Sequence, residues 1–448
     1  MSDVFSLLHP QLQEFLAERD WKPTPVQEQA IPELIDGGER LLIAPTGSGK
    51  TLAAVLPLLH RCKTEDWKPL SILYITPLRA LNRDVDRRLA ELSEALDLRF
   101  ALRHGDTPTS ERSRQVRRPP HLLVTTPETF QLMFTGHRLR AMLSSVQAVI
   151  IDEVHDLAAS ERGWQLRLGL QRLEALCGRT LQKVGLSATV GNPDHVASWI
   201  SNDSCQPILA PAERTTVLTV ETAPPLTEDE VGAMEMRLSP RAHATFRLLS
   251  EIIEKDPPCL VFVNSRNAAE TVAQRLQTMA PQLTIGVHHG SLAAETRQEM
   301  EENIRNGTLH ALICTSSLEL GIDVGSIRKI VQLESPRSVD RMLQRVGRAD
   351  HRIGGIGRGH LLAWETDGIA ESAVVAHRSH LGAIEDVEWR HRPYSIAANQ
   401  IMLMAHSFKV VRIDDVHEIF SQTDQFADWT RKDTCLLYTS PSPRDTDK

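Results

Sequence analysis

A chain of 448 residues is longer than one hydrophobic core ordinarily organises, so two or three domains are expected. With 41% hydrophobic residues, 24% charged residues and a net charge of −8, it has soluble globular composition; its acidic balance argues against a protein that coats nucleic acid non-specifically, though not against a local basic groove. No apolar run reaches membrane-spanning length and the opening "MSDVFSLLHPQLQEF" lacks a signal-peptide pattern, so a cytoplasmic protein with no membrane partner is expected.

The first chemical signal is "LLIAPTGSGKT" at 41–51. A short strand feeds a loop with Thr46, Gly47, Ser48 and Gly49, then Lys50-Thr51 and the helical "LAAVLPLLH". Glycines let backbone N–H groups curl around phosphates, Lys50 reaches the β/γ oxygens, and Thr51 ligates Mg²⁺. Ala44 stands where the common pattern has its first glycine, at the loop's entry and outside the phosphate cradle.

Strand-like runs "RLLIAP", "SILYITP", "HLLVTTP", "AVIIDE" and "KVGLSAT" alternate with helical stretches such as "LNRDVDRRLAELSEAL". That alternation predicts a parallel sheet covered on both faces. "AVIIDEVHDL" delivers Asp152 and Glu153 at the C-terminal end of a strand. In P-loop enzymes the first such acid holds Mg²⁺ and the next orients or deprotonates the attacking water.

Around 207–240 the pattern breaks into a Pro-, Thr- and acid-rich stretch read as one crossing strand plus linker. A second α/β block follows with "CLVFVN", "TIGVHH", "ALICTS", "IRKIVQL" and "GHLLAW", so two tandem sheets with a cleft between them are expected. "DRMLQRVGRADHR" carries Gln344, Arg345 and Arg348, by default a solvated basic face. Phosphoryl transfer across a cleft, however, calls for a cation on the γ-phosphate, assigned to Arg348, with Gln344 orienting water or phosphate.

From about Glu388 two helix-like pieces, "SIAANQIMLMAHSF" and "RIDDVHEIF", suit the start of a winged-helix module. The final "CLLYTSPSPRDTDK" resembles translated adaptor read-through, with a disordered native tail as the alternative. The expected domains are 1–210 (ATP-binding), 211–387, a partial winged helix at 388–434, and a non-native tail at 435–448. The six cysteines are scattered with neither CxxC nor metal spacing, and read as reduced thiols.

Together "TPVQ", "APTGSGKT", "TPLRAL", "TTPE", "DEVH", "SAT", "VFVNSR", "TSSLELGIDVG" and "QRVGRADHR" resemble the motif series of superfamily 2 DExH-box helicases, in order and spacing. Within that superfamily "HGDTP", "CTSSLELGIDVG" and "GRADHR" look most like the Lhr (large helicase-related) family. The resemblance implies two tandem RecA-like α/β domains with parallel sheets, followed by the start of a winged-helix module. It implies an enzyme, an ATP-dependent 3′→5′ helicase with Mg·ATP between those domains, acting on single-stranded DNA or RNA and on duplex or hybrid junctions, with a place in DNA repair.

It further assigns Gln27 to adenine, Asp323 to the ribose, and Ser187 and Thr189 to linking nucleotide state with the nucleic-acid groove. Thr76, Arg79, Thr126, Asn264, Arg266, Thr315 and Ser316 fall to the strand. Neutral hydroxyls and amides contact phosphate with little added charge, which reconciles such a track with an acidic chain. Where the family commonly shows "GRAGHR", this chain has Asp350, an acid able to compete with phosphate for Arg348. A superkiller-type RNA helicase and a catalytically silent nucleic-acid clamp are the alternative readings.

Overall fold

A computed structural model of the chain describes residues 4–45, 47–77, 83–202, 204–210, 216–319, 327–348, 357–408 and 410–439. It divides into two compact units: Met1–Ala44, Ser48–Pro211 and Asp386–Lys448 form one, Pro45–Gly47 and Ala212–Glu385 the other.

The first unit is built on a seven-stranded parallel sheet. Its strands are β1 (Arg40–Ile43), β2 (Ile72–Ile75), β3 (Phe100–Arg103), β4 (Leu122–Thr125), β5 (Ala148–Ile151), β6 (Gln182–Ser187) and β7 (Gln206–Leu209), in spatial order β3-β4-β2-β5-β6-β1-β7. β2, β4 and β5 are buried at every position, as apolar runs without alternation require when helices cover both faces. Only the edge strands β3 and β7 carry partly exposed residues along most of their length. Because all seven strands run parallel, the residues following β1, β2, β4, β5 and β6 emerge at one edge of the sheet, where α/β proteins place their ligands.

The second unit holds a six-stranded parallel sheet. Here β8 (Thr216–Glu221), β9 (Cys259–Phe262), β10 (Ile285–His288), β11 (Ala311–Cys314), β12 (Lys329–Leu333) and β13 (Gly357–Leu362) lie in the order β10-β11-β9-β12-β13-β8. The 207–240 stretch is thus more structured than the single crossing strand expected of it. It supplies β7 to the first sheet, β8 to the second, and helix Thr227–Met236. The short alternation in "TVLTVE" suits a sheet-edge strand that is only half covered.

Helix Thr227–Met236 is fastened to helix Pro240–Lys255 by Asp229, a fully buried carboxylate. It accepts from Leu226 N (2.8 Å), from His243 Nδ1 (2.8 Å) and from Arg247 Nη2 (3.1 Å). Burial opposes ionisation, but these donors, Arg247 foremost, hold the carboxyl down at about 2.

Helices Tyr394–Phe408 and Ile413–Ser421 pack on Glu161–Cys177 of the first unit, and Arg431–Thr439 packs beside Ile413–Ser421. Phe420, Phe426 and Trp429 are buried in the same core as Trp164 and Trp199. Two polar grips fix the attachment. Arg172 Nη1 donates to Gln131 Oε1 (3.2 Å) and Gln400 Oε1 (3.0 Å). The Asn192 amide donates to Val387 O (2.9 Å) and accepts from Val387 N (2.9 Å). Among the described residues no strand follows β13. Residues 435–439, read from sequence as tail, complete helix Arg431–Thr439; 440–448 lie outside the described residues.

Candidate nucleotide and nucleic-acid site

In the first unit the P-loop leaves β1 through Ala44, whose methyl is buried and whose N–H donates to Ser187 O (3.3 Å). The Ala44 carbonyl accepts from Lys50 Nζ, so this residue anchors the loop instead of lining it. Gly47 and Gly49 take φ of +82° and +87°, a region side-chain-bearing residues seldom adopt. Around Gly47 a Cβ would meet nothing within 4 Å, whereas at Gly49 it would sit 2.6 Å from Gln27 Nε2. Gly49 also caps helix Lys50–Thr64, so the loop ends on a helix N-terminus suited to phosphate.

Gln27 is 3% exposed and already holds this loop in place. Its Nε2 donates to Gly49 O (3.2 Å) and its Oε1 accepts from Thr24 N (3.0 Å). Each end of a glutamine amide has a second hydrogen-bonding position, so the residue can brace the loop and still address a base. Two buried hydroxyls beside Gly49, Thr24 Oγ1 and Ser48 Oγ, have no hydrogen-bond partner. A polar ligand seated on the loop would satisfy them.

The acids follow β5. Asp152 N donates to Ile75 O (2.8 Å), which seats the first carboxylate beside β2. Tyr74 OH donates to Asp152 Oδ2 (2.7 Å) and is itself hydrogen-bonded to Thr51. Thr51 and Asp152, the two residues expected to hold Mg²⁺, therefore share one phenol. Burial, and then the charge of Glu153, push the Asp152 carboxyl up to about 7. A bound cation reverses that pressure, and one carboxylate, one hydroxyl and nucleotide oxygens form the sparse oxygen set Mg²⁺ favours.

Glu153 adopts a left-handed backbone, φ +49° and ψ +49°, at the cap of helix Val154–Ala158. A non-glycine residue pays for that conformation, and such strain clusters at functional sites. Its carboxylate lies 3.7 Å from His155 Nε2, while His155 Nδ1 is 3.0 Å from Ser187 Oγ. His155 thus links Glu153 to the "SAT" segment at the end of β6. In the sequence this histidine stands inside its motif without a role of its own, and Tyr74, a tyrosine inside an apolar strand, reads as core.

At the same edge, Thr76 N donates to Thr125 O (3.0 Å) and Thr125 Oγ1 donates to Arg103 O (2.8 Å), so the ends of β2, β4 and β3 are contiguous. Thr126 caps helix Pro127–Met133 by accepting from Thr129 N (3.3 Å), which occupies part of the capacity assigned to the strand.

In the second unit Asn264 Nδ2 donates to Ser335 O (2.9 Å), and Arg266 is exposed at the start of helix Arg266–Met279. Thr315 follows β11 and caps the short turn Ser316–Leu318, with its Oγ1 3.5 Å from Ser317 Oγ. Helix Val339–Val346 does not present the solvated basic face of the default reading. Gln344, Arg345 and Arg348 are all buried, Arg348 at 5% exposure. Arg345 pairs with the Glu319 carboxylate, while Arg348 donates to the Glu319 carbonyl through Nε (3.1 Å) and Nη2 (2.6 Å). Glu385 caps this helix, its carboxylate accepting from Val339 N at 3.0 Å. Thr46, Arg79, Asp323 and Asp350 lie outside the described residues.

Residues 24–196 match the DEAD/DEAH box helicase family and residues 244–354 the helicase conserved C-terminal domain. The chain is 32% identical to the ATP-dependent helicase Lhr-Core of Methanocaldococcus jannaschii, over 96% of this chain and 52% of that protein. To the Lhr helicase/uracil glycosylase of Escherichia coli it is 33% identical, over 92% of this chain and 31% of that protein. A solved structure of Mycobacterium smegmatis helicase Lhr bound to ssDNA and AMP-PNP superposes with a TM-score of 0.84 at 33% identity, covering 96% of this chain and 57% of that one. The chain thus spans about half the length of the archaeal relative.

Proposed function

The chain belongs to the Lhr family of superfamily 2 DExH-box helicases, and from that membership we propose that it is an ATP-dependent helicase, stimulated by nucleic acid, moving 3′→5′ on single-stranded DNA or RNA and opening duplexes. One observation carries this reading furthest. The P-loop and both acids are wired together, Thr51 through Tyr74 to Asp152, and Glu153 through His155 to Ser187. A passive clamp on nucleic acid has no need of such a network.

In this reading Lys50 and the amides around Gly47 and Gly49 hold the phosphates, and Gln27 addresses the adenine. Thr51 and Asp152 would hold Mg²⁺, which would supply charge neutralisation to the nucleotide's phosphates. Glu153 orients the attacking water and takes its proton, its position fixed by His155. Arg348 trades the neutral Glu319 carbonyl for a phosphate oxygen, a stronger charge-assisted bond, and Gln344 steadies the same group. Asp323 takes the ribose. Thr76, Arg79, Thr126, Asn264, Arg266, Thr315 and Ser316 contact the strand, and the helices after residue 388 represent the beginning of a winged-helix module. We place the protein in the cytoplasm, on DNA-repair intermediates.

The test is phosphate release with and without a single-stranded oligonucleotide. Lys50→Ala and Glu153→Gln are expected to abolish turnover while strand binding persists; unchanged hydrolysis in both variants sinks the reading.

A further inference from the structure

The acidic balance of the chain is locally reversed between residues 99 and 140. Between Arg99 and Arg140 there are eight arginines, no lysine and three acids, in a protein whose net charge is −8. Helix Thr109–Arg117 and helix His137–Leu143 bring this stretch together on one flank of the first unit. Arg114, Arg117, Arg118 and Arg138 are exposed there, Arg114 at 72%, with two acids beside them, Glu111 at 2.9 Å from Arg114 and the exposed Asp106 in the turn after β3.

This flank is built, not frayed. Arg112 Nη2 donates to His104 O (3.0 Å) and Gly105 O (2.6 Å), fixing the turn after β3. Beneath it the buried Arg103 donates to Gln115 Oε1 (3.1 Å), which ties helix Thr109–Arg117 to the end of β3. Burial, then Arg99 and Lys63, push His121 down to about 4, and burial with Arg112 lowers Arg103. Its position is equally telling. The C-terminal edge of the first sheet runs from Thr76 through Thr125 to Arg103, and β3 is the outermost strand on that side. Nucleic acid that continues past β3 leaves the sheet and meets this flank.

We propose that the arginine flank of helices Thr109–Arg117 and His137–Leu143 is a second phosphate-binding surface, which takes a single strand of DNA or RNA as it leaves the strand-end edge of the first sheet. This rests on the nucleic-acid reading above. Arginine in place of lysine fits the ligand, because a planar fork pairs bidentately with a phosphodiester.

The experiment uses the whole chain and oligothymidylates of about 8 and about 30 nucleotides, lengths that bracket one binding module. Arg114→Glu/Arg117→Glu/Arg118→Glu is expected to weaken binding of the long strand about tenfold or more, and to reduce its log–log salt slope by about 2, from roughly 0.7 per phosphate contact. The short strand and basal ATP turnover stay unchanged, and the triple lysine variant restores the slope but only part of the affinity. An unaltered slope and affinity for the long strand overturn the proposal. So does tight, patch-dependent binding of polyglutamate in preference to the oligonucleotide, which assigns the flank to an acidic protein. If the unmodified chain binds neither oligonucleotide, the nucleic-acid function itself is overturned, a result distinct from loss of the flank alone.

Discussion

Two residues show how narrow the tolerances of the P-loop are. The Ala44 methyl is buried at the loop entry and touches no phosphate position, so Ala44→Gly is expected to cost about 1 kcal/mol of stability, the scale of one buried methyl, and to leave ATP turnover intact. Gly49→Ala meets both a φ of +87° and the Gln27 amide 2.6 Å away, and is expected to lose nucleotide binding by calorimetry. Tyr74→Phe removes the donor that orients Asp152 while sparing the packing of β2. We expect ATP turnover to drop about tenfold with strand binding retained, since one charge-assisted hydrogen bond is worth roughly 1.5–3 kcal/mol. The first two effects are half legible in the sequence, which marks the glycines and the odd alanine. The third is not: nothing in "SILYITP" shows that one hydroxyl in an apolar strand reaches an acid 78 residues further on.

In the first sheet the central strands were legible as unbroken apolar runs, and the edge strand β3 was not. β2, β4 and β5 read directly from "ILYI", "LLVT" and "AVII". β3 is "FALR", an edge strand that is mostly half covered, and carries neither alternation nor an unbroken apolar run. Helix Thr227–Met236 is acidic and weakly amphipathic, and its attachment depends on a tertiary pair, Asp229 with Arg247. That pair yields a pH prediction. A carboxylate lowered to about 2 stabilises the fold above its ordinary value of 3.8, and the stabilisation is lost as pH falls through the lower value. Urea midpoints between those limits are expected to fall more steeply for the unmodified chain than for Asp229→Asn, with equal slopes ruling Asp229 out as a source of acid lability.

At the scale of the molecule, the first unit is not continuous in sequence. Its core is completed by Phe420, Phe426 and Trp429, and its seam is held by Arg172 with Gln400 and by Asn192 with Val387. Ending the chain at Glu385 strips those aromatics from Trp164 and Trp199. Each large side chain is worth about 1.5–3 kcal/mol of burial, so the shortened chain is expected to melt at least 10 °C lower or to aggregate, which a thermal scan decides. The sequence announces a change of texture near 388, yet which core those helices join depends on side-chain contacts between segments 195 residues or more apart.

That discontinuity has a consequence for synthesis. The ribosome finishes the seven strands of the first sheet before the stretch Ala212–Glu385 emerges, and only then delivers the helices that cover Trp164 and Trp199. At typical elongation rates of about 5–20 residues per second, the growing first unit stands with its aromatic floor bare for roughly 10–35 s. Over that interval the nascent protein is a client for whatever shields apolar surface near the exit tunnel.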